Sequence, residues 1–427
     1  MHDALLIDFA NGGCHSCFGA SALDSLSLNC HVFLLYGTHN QGNNHALEKF
    51  RDASEKVQVL DAVTLASGLY RFKQILDELD LSVIKVLTSA KGKELMLLYR
   101  EQLFTAVYRF EFDVSAVEKC TCLEGPGHAP SWDSPGEKVR GEVAEFLRHL
   151  PGLKGEISVN RSTLIPDCFG HGFSSRTGGV SYLPSLSSLN LFCSAKRRDP
   201  RAVVEENRRR LALTAGFYPK TMHFPKVNHA NQVWVMGKPE PDSYDGVVTD
   251  RSGVVLAAPS ADCIPLLFAD PVKRVIGATH AGWRGTVMGA AMATVNSMVR
   301  EFGSDVKDIL VAVGPSVGVC CYTMNRHQVQ DFTKIHPDCV PDPESAQPHV
   351  NIRLANRYGP ESHNGGVLPE HIHDHTVRDR PEVTPCTCCN PQKYFSHVRD
   401  GVNFGTQVGF IWIRETQQET VMNKGLR

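Results

Sequence analysis

Hydrophobic and polar positions along the first part of the chain predict a small α/β domain. The segments NCHVFLLYG (29–37) and LSVIKVLTS (81–89) are continuous apolar runs, which are typical of buried strands. Between them, SGLYRFKQILDELD (67–80) has the spacing of an amphipathic helix. Strand–helix–strand order is the pattern of α/β folds. We therefore expect residues 1–119 to form a small α/β domain, in which no catalytic constellation is apparent.

A change of composition separates this part from the rest of the chain. Residues 120–142 (CTCLEGPGHAPSWDSPGEKVRGE) are rich in Gly, Pro and Ser, which predicts a linker. The following segment, EVAEFLRHL (142–150), predicts a connecting helix. We accordingly assign residues 120–150 to a linker and connecting helix, and residues 151–427 to a second domain.

The second domain alternates short β-rich runs with two predicted helices. One helix opens at Asp199–Pro200, an N-cap followed by proline at the first helical position, and continues through RAVVEENRRRLALTAG. The other follows Gly285 as TVMGAAMATVNSMVREFG. VGFIWIRE (408–415) predicts a closing strand, and the polar segment 335–385 predicts a long surface loop. This alternation predicts an α/β domain with a mixed sheet, of the α+β kind.

Composition excludes several classes of protein. The 427 residues suffice for two domains, and 42% hydrophobic with 21% charged residues indicates a globular protein. The net charge is −2, whereas nucleic-acid binders usually carry a basic surface. The apolar runs are too short to form a transmembrane helix. The N-terminus has no basic stretch typical of a secretory signal, so we expect an intracellular, cytoplasmic protein whose fourteen cysteines are reduced.

Two strand-like runs, CIPLLFAD (263–270) and KRVIGATH (273–280), predict a β-hairpin. Asp270 and Pro271 supply the chemistry of the turn between them. With the turn centred after Pro271, Cys263 lies directly opposite His280, with Cα atoms about 4.5–5.5 Å apart. A hairpin whose ends merely happen to carry a cysteine and a histidine is the alternative.

The chemistry of this pair depends on what surrounds it. Both residues would lie beside the turn Gly282–Gly285 and the start of the following helix, which favours an anion and lowers the pKa of a thiol. Cys263 and His280 could be two ligands of a zinc ion, with His229 in KVNHANQVWVM as the third. Alternatively, Cys263 is a nucleophile that His280 activates.

A series of motifs carries a resemblance to a known family. They are HGFSSRTGGVS (171–181), SLNL (188–191), VNHANQV (227–233), DGVVT (245–249), ADCIPLLF (261–268), HAGWRGT (280–286), GPSVGVCCY (314–322) and CTCCNPQKYFSHVRDG (386–401). In this series the chain resembles the YfiH/YlmD family over about residues 157–415. The spacing of ADC and HAGWRG is the most specific feature.

The resemblance implies a fold, a cofactor and an activity. It implies one zinc ion in the catalytic domain, held by His229, Cys263 and His280, which would also be the catalytic residues. It implies phosphorolysis of inosine, guanosine, adenosine or methylthioadenosine, with phosphate as co-substrate, and deamination of adenosine to inosine. Resemblance to a longer vertebrate member further implies association with fatty acid synthase, peroxisomes, the endoplasmic reticulum or the nucleus, and a part in innate immunity and inflammation.

Phosphate and nucleoside need cationic and polar side chains for binding. We assign this role to Arg176, Asn190, Arg284 and Arg399. The C-terminal motif departs from the family pattern of FSYRRDG followed by a Gly-Arg pair, because Val398 and Thr406 stand where arginines are expected. This departure weakens the assignment of Arg399.

Two acidic residues and three cysteines complete the candidate set. Asp245 and Asp262 could act as acid or base groups, or could orient a metal ligand. The cysteines at 386, 388 and 389 could hold a second metal, although we expect an active-site wall or plain packing.

Three other functions fit parts of the sequence. A copper polyphenol oxidase needs several His-x-His pairs, and the chain has this spacing only in HIHDH (371–375). A metal-free Cys–His hydrolase or deamidase would use Cys263 and His280 alone. A non-enzymatic scaffold would not require the trio of His229, Cys263 and His280.

Overall fold

The chain divides into two compact units. The computed structural model describes residues 2–11, 30–36, 56–61, 63–114, 134–361, 366–374 and 386–415. One unit comprises Met1–Pro151 with Cys193–Glu206, and the other comprises Gly152–Phe192 with Asn207–Arg427. The observed units differ from the expected uninterrupted domain 151–427 by the segment Cys193–Glu206.

The first unit contains a five-stranded parallel sheet with helices. Its elements are β1 (Ala4–Asp8), β2 (His31–Tyr36), β3 (Val57–Asp61), α1 (Leu65–Glu78), β4 (Val83–Leu87), α2 (Ala90–Leu103), β5 (Arg109–Asp113) and α3 (Pro135–His149). The strand order is β3-β2-β1-β4-β5, and each neighbouring pair is parallel. The first unit thus combines a parallel sheet with helices and has three strands beyond the two predicted from the sequence.

Helix α3 belongs to the first unit and is not a free connector. It begins at Pro135, before the predicted start, and buries Val143 and Leu147. The Glu142 carboxylate accepts hydrogen bonds from the main-chain N–H of Ala66 (2.9 Å) and the hydroxyl of Tyr99 (2.7 Å). Residues 120–133 of the predicted linker lie outside the described residues.

The second unit contains two mixed sheets. Its strands are β6 (Val159–Asn160), β7 (Phe169–Ser174), β8 (Met222–His223), β9 (Val233–Val235), β10 (Gly246–Thr249), β11 (Val255–Ser260), β12 (Ile264–Asp270), β13 (Val275–Ala281), β14 (Leu310–Val313), β15 (Ile372–His373) and β16 (Gln407–Ile413). The larger sheet has the order β15-β14-β12-β13-β10-β9, and the smaller has the order β6-β7-β16-β11-β8. The mixed fold predicted from the sequence is confirmed.

Helices flank the sheets of the second unit. They are α4 (Arg201–Ala215), which starts in the segment of the first unit, α5 (Trp283–Val287), α6 (Ala290–Phe302), α7 (Arg326–Ile335), α8 (Ile352–Glu361) and α9 (His397–Asp400). Within the described part of the chain, no helix is long and apolar enough to cross a membrane.

The core of the second unit lies on both faces of the larger sheet. Leu267 and Ala278 of that sheet pack with Leu256 and Ile411 of the smaller sheet in one apolar cluster. Helices α6 and α8 contribute to a second cluster with the other side chains of the same strands. Strands β12 and β13 are buried along their whole length, which explains their continuous apolar sequence. This burial holds the ends of the hairpin in fixed positions.

The predicted register of the hairpin is wrong. Pro265, and not Cys263, lies opposite His280. The turn contains four residues, because Arg274 adopts a left-handed conformation (φ +55°) and extends it beyond Lys273. Side chains alternate between the faces of a strand, so the shift leaves Cys263 aligned diagonally with His280.

Two other expectations also differ from the structure. The predicted helix after Gly285 is two helices, because Gly289 has a left-handed backbone (φ +76°) between α5 and α6. The predicted surface loop 335–385 contains α8, where the Asn351 side chain accepts the N–H of Leu354 (3.1 Å) and Ile352 is buried. Strand β16 agrees with the predicted closing strand and lies between β7 and β11.

The core between the two sheets supports the hairpin, so truncation there should destabilise the second unit. Leu267→Ala should lower the free energy of unfolding of the second unit by about 2–5 kcal/mol, because a fully buried side chain is lost. Leu213→Ala removes the same atoms from a side chain that is 62% exposed and should cost less than about 0.5 kcal/mol. Urea unfolding of both variants measures the difference, and equal losses would contradict the described packing.

Candidate metal centre

Three predicted ligands meet at one end of the hairpin. One donor atom each from His229, Cys263 and His280 lies within 4.8 Å of the other two. His280 is in β13, Cys263 directly precedes β12, and His229 lies in the loop before β9. The two imidazole rings are nearly perpendicular (88°), with their centroids 4.9 Å apart. Two nitrogen donors and one sulfur donor therefore converge on one point.

Asp245 fixes the orientation of this group. Its carboxylate accepts a hydrogen bond from Nδ1 of His280 (2.8 Å) and from the main-chain N–H groups of Asn228 (3.2 Å), His229 (3.1 Å) and Ala230 (3.0 Å). An imidazole that donates from Nδ1 to a carboxylate offers Nε2 as a metal ligand. One buried carboxylate thus orients His280 and holds the loop that carries His229.

The electrostatics of the site couple these groups. Burial opposes ionisation of Cys263, but the charge of His280 and a hydrogen bond from His229 lower its pKa to about 6. Burial likewise opposes protonation of His280, but the Cys263 thiolate and Asp245 raise its pKa to about 9. Hydrogen bonds from His280 and from the loop amides outweigh burial and lower the pKa of Asp245. Without metal, the site is therefore a thiolate–imidazolium pair.

The backbone is strained at one ligand, His229, and at Asp262, the residue before another ligand. His229 has φ +63° and Asp262 has φ +91°, conformations that cost a non-glycine residue about 1–3 kcal/mol. The Asp262 carboxylate accepts hydrogen bonds from groups of the C-terminal segment, namely the hydroxyls of Thr387 (2.6 Å) and Ser396 (3.1 Å) and the N–H of Val398 (2.6 Å). These bonds hold Asp262 in its strained conformation and so position Cys263. Because the carboxylate of Asp262 accepts these hydrogen bonds, its role is structural, and we do not assign it proton transfer.

Gly282 lets the chain pass directly over the ligands. A Cβ atom at this position would lie 3.2 Å from Cδ2 of His229 and 3.3 Å from Sγ of Cys263. A Cβ atom at Gly285 would lie 2.7 Å from the carbonyl oxygen of Ala230, too close for any side chain. The two glycines of HAGWRGT therefore allow α5 to pack against the loop that carries His229.

Three of the predicted substrate residues make structural contacts. Arg176 is buried and donates from Nε, Nη1 and Nη2 to the main-chain carbonyls of Ser187, Pro391 and Pro184. Arg399 donates to the carbonyls of Thr387, Cys388 and Tyr394 and pairs with Asp400. The amide of Asn190 bonds to the main chain of Phe192 and Thr406. These contacts give the three residues bracing roles, and substrate binding by them stays a prediction.

Arg284 differs from the other two arginines. Its side chain is exposed and lies over the indole of Trp283, 5.1 Å from the ring centroid. Helix α5, which carries Arg284, has only five residues, so it is too short for the helix-terminal anion site that the sequence suggested. Arg284 nevertheless remains accessible to an anion.

A cavity of about 240 Å³ is lined in part by α5. Its described lining consists of Trp283, Tyr322, Thr323, Met324, Asn325, Gln328 and Gln347. Trp283 follows Gly282, and burial together with the negative charge of Cys263 raises the pKa of Tyr322, which places the phenol near the thiolate. The sequence did not lead us to assign a role to Trp283 or Tyr322. Trp283 lies in the motif HAGWRGT, and Tyr322 lies in the motif GPSVGVCCY.

A second cavity, of about 580 Å³, lies elsewhere in the second unit. Its described lining includes Asn160, Phe173, His373, Lys393 and Tyr394 and contains none of the three ligands. The described lining of the smaller cavity contains none of them either, but it includes Trp283, which follows Gly282 at the ligands. We therefore take the smaller cavity as the candidate substrate site.

Comparison with known proteins identifies the family. A family model described as multi-copper polyphenol oxidoreductase laccase matches residues 170–414. The chain is 49% identical to the mouse protein named purine nucleoside phosphorylase LACC1 over 368 residues, which are 86% of this chain and 84% of that protein. The chain belongs to this laccase-domain family, the YfiH/YlmD family that its motifs indicate.

Two prokaryotic relatives match little more than half of this chain. The crystal structure of YlmD from Geobacillus stearothermophilus superposes with a TM-score of 0.51 at 30% identity, covering 60% of this chain and 94% of YlmD. A protein named adenosine deaminase RL5, from an unknown prokaryotic organism, is 29% identical over 248 residues, which are 55% of this chain and 90% of RL5. The residues that the family model matches include all three candidate ligands.

The charge coupling of the site predicts the reactivity of Cys263 in protein stripped of metal. Its rate of alkylation by iodoacetamide should reach a plateau near pH 7, because a pKa of about 6 leaves mostly thiolate there. A small-molecule thiol with an ordinary pKa of about 8.5 should continue to gain rate up to about pH 9. His280→Gln should shift the Cys263 profile upward. A Cys263 profile like that of the free thiol would contradict the described coupling.

Proposed function

We propose that the second unit is a zinc-dependent purine nucleoside enzyme, which phosphorolyses nucleosides to base and pentose 1-phosphate and deaminates adenosine. The convergence of His229, Cys263 and His280 around the carboxylate of Asp245 carries this proposal. The names of the relatives supply the substrate class, since LACC1 is named a purine nucleoside phosphorylase and RL5 an adenosine deaminase.

The donor set suits zinc. Two imidazoles and a thiolate are common zinc ligands, and three protein ligands are typical of catalytic sites. The Nδ1 bond from His280 to Asp245 is the outer contact that such ligands usually make. A zinc ion held by these three residues would supply Lewis acidity at the site.

Copper polyphenol oxidase chemistry is a weaker match. A multicopper cluster requires several histidine pairs, whereas the metal-competent groups found among the described residues are this trio and a cluster of four cysteines. The word laccase in the family description therefore does not decide the metal here.

The chain's own residues can bind and orient a nucleoside beside the trio. The indole of Trp283 and the phenol of Tyr322 offer faces on which a purine can stack in the 240 Å³ cavity. Arg284, exposed above Trp283, can pair with phosphate as it approaches the ribose. Asp245 keeps His280 in one orientation throughout, since it also holds the adjacent loop.

A metal-free Cys–His hydrolase is the second candidate. The observation that favours it is the thiolate–imidazolium character of Cys263 and His280, which is also the character of a cysteine nucleophile with its base. The two candidates differ in their need for metal and for phosphate.

Inosine and phosphate test the proposal directly. The purified chain should release hypoxanthine and ribose 1-phosphate, measured by mass spectrometry, only when phosphate is present. Cys263→Ala and His280→Ala should lower the rate by at least about 100-fold, because each removes a ligand. A dialysable chelator should abolish the activity, and zinc should restore it. Activity that survives without Cys263, or that needs neither phosphate nor metal, would contradict the proposal.

Asp245 should tune the affinity for metal. Asp245→Asn removes the charge that orients His280 and should weaken zinc binding about 10–100-fold, measured by competition with a chromophoric chelator. Asp270→Asn is the matched control, since Asp270 is equally buried but bonds to the turn at the other end of the hairpin. Equal affinities in the two variants would refute the orienting role of Asp245.

A further inference from the structure

A second group of metal-competent side chains lies in the same unit. Four sulfur atoms lie within 4.8 Å of one another, those of Cys320, Cys321, Cys386 and Cys389. Cys320 and Cys321 follow β14, and Cys386 and Cys389 precede α9, so two segments far apart in the sequence meet here. The side chains of Cys320 and Cys389 are exposed, whereas Cys386 is buried.

The sulfur separations match a four-coordinate metal site. Sγ of Cys389 lies 3.7 Å from Sγ of Cys320 and 3.2 Å from Sγ of Cys321. Zinc–sulfur bonds of about 2.3 Å in a tetrahedron place neighbouring sulfur atoms about 3.8 Å apart. A covalent disulfide would require about 2.05 Å. All four sulfur atoms lie within 4.8 Å of one another, which is close enough for one small ion to bind all four.

Main-chain groups and a cation surround the sulfur atoms. Cys386 and Cys389 have C-x2-C spacing, and the main-chain N–H groups of Cys388 and Cys389 point at Sγ of Cys386. Gly318 donates its N–H to the same sulfur (3.1 Å). The buried guanidinium of Arg353 lies close enough to interact electrostatically with Cys386 and Cys320. Such N–H donors and a nearby cation stabilise sulfur in its thiolate form.

We propose that Cys320, Cys321, Cys386 and Cys389 bind a second zinc ion, separate from the His229–Cys263–His280 centre, in a closed structural site. Four thiolates leave no open position for substrate, which is the arrangement of structural zinc. A multi-iron cluster fits less well, because its cysteines bind different iron atoms and lie further apart than the sulfur atoms do here.

The second site would brace the wall of the candidate active site. Cys321 is adjacent to Tyr322, which lines the 240 Å³ cavity. Thr387, between the cysteines of the C-x2-C pair, donates to Asp262, the residue before Cys263. The bound ion would therefore join the loop after β14, which carries Tyr322, to the segment that holds Asp262 in its strained conformation. This inference does not depend on which reaction the first centre catalyses.

Metal counting tests the proposal on the full-length chain, purified under reducing conditions with zinc present. Mass spectrometry of the metal should find two zinc ions per chain in the natural sequence and one in His280→Ala. The double variant Cys321→Ser/Cys389→Ser should also retain one, and Cys168→Ser, an exposed cysteine outside both groups, should retain two. One zinc ion in the natural chain, unchanged in the double variant, would overturn the proposal.

Cobalt provides a readout that does not require the cysteine variant to fold. His280→Ala protein loaded with Co²⁺ should show the strong sulfur-to-cobalt charge-transfer absorption of four thiolates. A spectrum without that absorption would overturn the proposal, as would a disulfide between these cysteines in a non-reducing peptide map of freshly purified protein.

Discussion

The carboxylate of Asp245 is the contact on which the candidate metal centre depends. It accepts a hydrogen bond from His280 and, at the same time, from the main chain of the loop that carries His229. Because both ligands are tied to one buried group, their relative position does not rely on the exposed His229 side chain alone. The third ligand, Cys263, is placed independently, by the strained backbone of Asp262 and its bonds to the C-terminal segment.

This arrangement explains why several of the motif residues make structural contacts within the chain. Arg176 and Arg399 bind main-chain carbonyls, and Gly282 and Gly285 clear space where the chain crosses the ligands. Much of the family signature therefore serves to hold three donor atoms in place. In the proposed function, a nucleoside would bind to side chains around the 240 Å³ cavity, where Trp283 and Tyr322 are aromatic.

The sequence predicts the class of fold, because buried strands leave strong local patterns. It also singles out three side chains that the structure brings together, because they lie in compact motifs. It fails where a single backbone angle decides the outcome. The left-handed Arg274 changed the hairpin register, and the left-handed Gly289 divided one predicted helix. The sequence also could not show that Arg176 faces carbonyl groups, or that Cys320 and Cys386 meet, because these contacts join distant segments. Location in the cell and association with fatty acid synthase stay predictions, since the fold does not encode them.

The most direct test of the account is an anomalous difference map, recorded at the zinc absorption edge from crystals grown with inosine. The account predicts a peak about 2.0–2.3 Å from a nitrogen of His229, a nitrogen of His280 and the sulfur of Cys263, with the nucleoside in the cavity beside Trp283 and Tyr322. If the map shows no peak between these three residues, or if inosine occupies the 580 Å³ cavity instead, the central claim is wrong.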